Sequence, residues 1–159
     1  MPVVATPATP VIVTVDQVRM FLRDRPDYNI LLDDVQFRQD EINFAVEMVT
    51  SNYNAVTPQT ELIPQTWPVK LQYVLLLGVA AFLMKMEASR QLRNQLTYQD
   101  GDIAPIGIDD KHAMYVQWGQ ILKQEWDFLV RNIKTQDNLE AAYGYLRSGY
   151  SYTTRYNNS

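Results

Sequence analysis

The chain has no cysteine and one histidine, His112, and these two shortages remove several kinds of chemistry before any motif is sought. Without thiols there is no disulfide framework, no Cys-bearing zinc site and no cysteine nucleophile. A lone imidazole leaves no route to a multi-histidine metal centre or to catalysis needing two histidines. Basic residues are also scarce: 14 Lys and Arg against 18 Asp and Glu give a net charge of -4, the wrong sign for a protein that wraps nucleic acid. Long apolar runs are missing as well. The longest, Tyr73 to Met84, falls short of the ~18–20 residues that span a bilayer and reads as a buried helix. Met1 to Val13 has no Lys or Arg and is broken by Pro2, Pro7 and Pro10, so it does not read as a signal peptide.

What remains is 159 residues, 47% of them hydrophobic, enough for one domain with its own core. The pattern predicts a mainly α fold: an antiparallel bundle of about four helices, with a small β-hairpin excursion and extended N- and C-terminal arms. An uncharged arm covers 1–13, the bundle 14–134 with the hairpin at about 95–108, and a Tyr-rich tail 135–159. The prolines of the arm favour an extended chain, either disordered or packed as a strand on a neighbour.

Thr14 with Gln17 forms a capping-box pattern ahead of Val15, Val18, Phe21 and Leu22, and Arg25-Pro26 is the expected stop. Asp27 to Val35 then reads as a loop whose Ile30, Leu31 and Leu32 tuck onto the core. A second helix is expected over Gln39 to Tyr53, with the stripe Ile42, Ala45, Val46, Val49 and Tyr53 and with Asp40 and Glu41 in its first turn. Three X-Pro steps, at Pro58, Pro64 and Pro68, mark the connection that follows. Thr66 is the expected N-cap of a third helix running to about Leu92, apolar on every face between Tyr73 and Met84 and therefore central. Asp100-Gly101 between Leu96-Thr97-Tyr98 and Ile103-Ala104 is a hairpin signal. Asp109 or Asp110 is placed to cap a fourth helix ending near Lys134, with Tyr115, Trp118, Leu122, Trp126, Leu129 and Ile133 on its buried face. A short further helix through Leu139 to Tyr143 is possible. Five of the ten tyrosines fall between Tyr143 and Tyr156, among Gly, Ser, Thr and Asn, so the tail is either disordered or ordered against another surface.

No catalytic, cofactor or metal constellation emerges. Asp100, Asp102, Asp109 and Asp110 lack the spacing and closing Glu of a calcium loop and are explained by turn and cap chemistry. Asp33-Asp34 has no helically spaced partner for acid/base work, and His112 falls in the first turn of a helix, where exposure is the usual outcome. Phosphate loops, nucleophile elbows and dinucleotide fingerprints are absent. An enzyme or ligand-binding bundle would need a polar pocket between the third and fourth helices, where the pattern offers only Gln72, Gln117 and Glu125 near the edges. Charge is uneven: residues 14–64 hold four basic and nine acidic side chains, residues 65–134 eight and seven. The acidic half is either an ordinary solvated face or a surface that does not hold DNA.

The order Val15-Asp16-Gln17-Val18-Arg19-Met20-Phe21-Leu22, then Leu31-Leu32-Asp33-Asp34, Phe37, an Asp40-Glu41-Ile42 helix start, and Trp67-Pro68-Val69-Lys70-Leu71 opening a long apolar helix, resembles the head-tail connector proteins of tailed bacteriophages, also called adaptor, neck or head-completion proteins. The resemblance covers Thr14 to Ile133. Arg38 departs from it where a small capping residue is usual, and the hairpin and tail lengthen the chain beyond the smallest members. It implies a virion structural protein of the portal vertex, assembled in the host cytoplasm, forming a homo-oligomeric ring of typically twelve subunits. Its partners would be the portal protein and the tail or next neck protein, around a channel through which double-stranded DNA passes without specific binding and without contact to a membrane. Within this reading Tyr145, Arg147, Tyr150, Tyr152 and Arg155 in the tail, with Tyr98 and Ile103 on the hairpin, are the expected partner-binding residues. The alternative is a non-viral helical scaffold or regulatory module using the same tail to bind another protein.

Overall fold

The computed structural model describes residues 13–29, 34–93 and 111–143. These residues are mainly helical: α1 (Val15–Leu22), α2 (Gln39–Ala55), α3 (Gln72–Arg93) and α4 (Lys111–Tyr143), with 3₁₀ turns at Pro64–Thr66 and Val69–Leu71. The expected hairpin at about 95–108, nearly all of the N-terminal arm, and residues 144–159 of the tail lie outside the described residues.

The capping box of α1 forms as read. Thr14 Oγ1 accepts from the Gln17 backbone N–H at 3.3 Å, and Gln17 Oε1 accepts from the Thr14 N–H at 3.1 Å. The stop is not Pro26, however. The helix ends at Leu22 because Arg23 turns left-handed at φ 58. Asp24 follows, buried, and organises the loop. Its Oδ1 accepts from Asn29 Nδ2 and the Gln36 N–H, both at 2.6 Å, while Oδ2 accepts from the Phe37 N–H at 2.9 Å, which seats Phe37 in the core.

All five stripe residues of α2, Ile42, Ala45, Val46, Val49 and Tyr53, are buried. At its start Arg38 stands in the N-cap position, and the box is half made: Glu41 Oε2 accepts from the Arg38 backbone N–H at 2.8 Å. The chain then turns through Asn54, which holds Leu62 by both backbone groups, at 2.7 and 3.1 Å. Trp67, fully buried, sits edge-on to Tyr53 with ring centroids 5.1 Å apart, and its indole N–H donates to the Leu71 carbonyl at 2.9 Å. The two 3₁₀ turns around Trp67-Pro68 delay the third helix, which begins at Gln72 and not directly after Thr66.

α3 is the axis of the fold. Eleven of its residues are buried, among them Leu75, Leu77, Val79, Ala80 and Leu83, and burying one large aliphatic side chain contributes roughly 1.5–3 kcal/mol. With the turn before it, Val69–Arg93 is by length and composition alone long and apolar enough to cross a membrane, which the Tyr73 to Met84 run by itself is not. Here α1 meets it at the Phe21–Tyr73 ring contact, α2 at Phe44–Phe82, and α4 along most of its length. Glu125 meets Tyr73 near the start of α3, whereas Gly119 lies against Ala81, Met84 and Lys85 further along, so α3 and α4 run antiparallel.

α4 is longer than its periodicity suggests. It continues unbroken through Lys134 to Tyr143, 33 residues or about 50 Å. No Gly or Pro occurs between Gly119 and Gly144, so nothing breaks the helix where its apolar pattern weakens.

Candidate assembly surfaces

Two apolar seams run along α4, offset by one residue. Tyr115, Leu122, Trp126, Leu129 and Ile133 pack against the core, and Gly119 lies between Tyr115 and Leu122 on that face. Met114, Trp118, Ile121 and Phe128 stand one residue earlier, which rotates them by about 100° out of the bundle. The sequence pattern placed Trp118 on the buried face, but it is 60% exposed, with Met114 at 71% and Phe128 at 65%. Gly119 takes the inward place between Tyr115 and Leu122, where a Cβ would meet Met84 Cβ at 3.4 Å and the Ala81 carbonyl at 3.6 Å, both ordinary contact distances. The exposed seam recurs at intervals of four and three residues, 114, 118, 121, 125 and 128, and resumes at the exposed Leu139 and Tyr143. Glu125 interrupts it and accepts a 2.9 Å hydrogen bond from the Tyr73 hydroxyl, which raises the tyrosine's pKa. An apolar row of this length left in water is characteristic of an interaction surface.

A cleft of about 590 Å³ lies between α3 and α4, closed at one end by Val49 and Asn52 of α2 and by the indole of Trp126. Ala81, Phe82, Ala88 and Val116 give it apolar walls. Lys85, His112, Lys123, Gln120, Gln124 and Ser89 add polar groups, so it is more polar than the sequence pattern allows, and Gln72, Gln117 and Glu125 take no part. No carboxylate is among the described residues that line it. His112 is half-buried at its edge. Lys123 lies 4.6 Å from the Trp126 ring centre and pairs with Asp127, one turn along α4. Trp126 is 5% exposed, and its indole N–H has no acceptor among the described residues.

At the other end of α4, Lys134 is only 1% exposed. Its ammonium donates to the Pro58 carbonyl at 2.8 Å and to Thr60 Oγ1 at 3.0 Å, and stands 4.2 Å from the centre of the Tyr53 ring. Burial lowers the Lys134 pKa, an effect that the negative charge of Asp137 opposes. The Tyr53 hydroxyl is pushed up to about 12, by burial first and by Asp137 second. The sequence marks this lysine only as the approximate end of the fourth helix; it is a clamp that fastens α4 to the loop after α2.

No protein-family model, curated protein or solved structure matches the chain. The expected partner-binding residues Tyr98, Ile103, Tyr145, Arg147, Tyr150, Tyr152 and Arg155 lie outside the described residues. Among the described residues no three His, Asp or Glu side chains converge as a metal site. Asp34 is occupied locally, its Oδ1 accepting from the Val35 N–H at 2.7 Å and its carbonyl from Asn29 Nδ2 at 3.1 Å. The surfaces missed at the sequence level, the outer seam of α4 and the cleft, share a cause. Both arise from which side of α4 meets α3, a choice that periodicity alone leaves open and that Gly119 signals.

Proposed function

We propose that this protein is a virion structural subunit that assembles into a ring and connects the portal to the tail of a tailed bacteriophage. The observation that carries the reading is the outer seam of α4: Met114, Trp118, Ile121 and Phe128 form an uncovered apolar row on a helix of about 50 Å, which suits a protein completed by neighbours. Around it, the chain supplies an uncharged arm and a tail of Tyr and Arg, both suited to joints between subunits. The acid excess of residues 14–64 suits a wall beside passing DNA, since a lumen lined with Lys and Arg would hold the duplex. No catalytic step is part of this reading.

The test is electron microscopy of the purified protein mixed with portal rings. An added ring of density on the portal is expected, lost when Trp118 and Phe128 are both changed to Ser and also lost on deletion of residues 144–159, with the helical circular dichroism signal kept in each case. A wild-type protein that stays unbound at all portal concentrations would overturn the connector reading.

A further inference from the structure

The cleft between α3 and α4 is basic in a chain whose net charge is negative. Lys85, Lys123 and His112 stand at its polar edge, and its described lining contains no carboxylate. Lys85 has no ion-pair partner among the described residues, and only Lys123 is partly matched, by Asp127. On α3 the lining runs from Gly78 to Leu92 and on α4 from His112 to Trp126, in each case about 21 Å, or four helical turns. An open trough of this length and polarity suits a segment that is both apolar and acidic.

The chain contains such a segment. Residues 94–110 carry four aspartates, Asp100, Asp102, Asp109 and Asp110, and no Lys, Arg or His, with apolar side chains that include Leu96, Tyr98, Ile103 and Ile106. The other two long stretches outside the described residues do not complement the cleft. Residues 1–12 are uncharged, and residues 144–159 hold two arginines and no acid. We infer that the α3–α4 cleft of one copy seats the 94–110 segment of a second copy. Cleft and segment are different surfaces, so the contact is heterologous, the kind that propagates from copy to copy and closes into a ring when the rotation permits. The choice of a second copy rests on the ring reading above.

The absence of cysteine makes the test clean, because any disulfide formed belongs to the introduced pair. Ser89 lines the cleft and Asp102 belongs to the segment. Full-length Ser89→Cys, carrying a tag, is mixed with untagged full-length Asp102→Cys and mildly oxidised. The expected product is a mixed dimer on a non-reducing gel, at least ten-fold more abundant than either homodimer. Lys85→Glu with Lys123→Glu in the tagged copy should abolish it, and Asp100→Lys with Asp109→Lys in the untagged copy should restore it. No mixed dimer, or a disulfide that forms only when both cysteines are in one chain, overturns the inference. Portal binding is read separately: a ring on the portal without the mixed dimer sinks this contact alone, and the mixed dimer without portal binding upholds this contact and sinks the connector reading.

Discussion

Trp126 lies over Gly78 with no room for a side chain between them. A Cβ on residue 78 would stand 2.5 Å from the indole Nε1 and 2.5 Å from Val49 Cγ1, inside any tolerable contact. The glycine is therefore where α2, α3 and α4 converge, and its cost to helix propensity, about 1 kcal/mol relative to Ala, is offset by that convergence. Gly78→Ala gains the propensity but must push apart two buried side chains, and overpacking of this kind costs typically ~1–3 kcal/mol. A net loss of about 1–2 kcal/mol is expected in urea unfolding. An unchanged or raised midpoint would show that the three helices separate freely there.

The same indole offers a second measurement. Its N–H is buried without an acceptor among the described residues, an arrangement that costs on the order of 1–3 kcal/mol. Trp126→Phe removes the unpaired donor but also part of the ring's packing, so the loss should be under about 1.5 kcal/mol, far below the ~3–5 kcal/mol usual for truncating a buried tryptophan to Ala. Comparison of the Phe and Ala variants by chemical denaturation checks the ordering.

Asp24 accepts three hydrogen bonds that fix the loop leading to Phe37. Asp24→Ala leaves two backbone N–H groups and the Asn29 amide without this acceptor, and a loss of ~2–4 kcal/mol is expected, since bonds to charged groups are worth ~1.5–3 kcal/mol each and are not additive. Asn29→Ala, which removes one donor only, should cost about 1 kcal/mol. Equal effects from the two variants would contradict the central role given to the carboxylate.

Alkaline titration reports on the burial of Tyr53 and Lys134. The Tyr53 pKa in the folded protein is about 12 against an ordinary 10, so between these values the unfolded chain releases a proton that the folded chain keeps. Stability from this group is full below pH 10 and falls as pH rises toward 12. Lys134 acts with the opposite sign. Its folded pKa is lowered from 10.5, so below that value the unfolded chain binds the proton more readily, and the resulting penalty fades as pH rises through the window beneath 10.5. Tyr53→Phe should flatten the fall between pH 10 and 12 in denaturation midpoints recorded across the range.

Much of the bundle is legible in the sequence, for reasons that can be named. The reciprocal Thr14–Gln17 cap is local chemistry, and the stripe of α2 has one apolar face with no competitor. α3 is apolar on all sides and can be satisfied only at the centre. α4 is ambiguous because two apolar rows lie one residue apart: Trp118 and Trp126 fit the same periodicity, yet Trp126 is buried and Trp118 exposed, with Gly119 taking the inward place beside Trp118. The continuation past Lys134 is hidden by polar composition, although Gln136 bonds Glu140 across one turn at 3.0 Å and no breaker intervenes. The Asp24 network joins positions up to 13 apart through a turn, and no pattern of spacing announces it.

The unbroken run of α4 has a mechanical consequence. Lys111 and Tyr143 are the ends of one rod, so the chain on either side of α4 joins it at points about 50 Å apart. A rod fastened by Lys134 about two and a half turns before Tyr143 and packed on α3 at Gly119 works as a ruler: the distance between its two points of attachment to the rest of the chain is fixed by the number of residues between them. Lengthening it by seven residues beyond Lys134 would move the second attachment outward by about 10 Å while keeping its direction around the axis nearly unchanged.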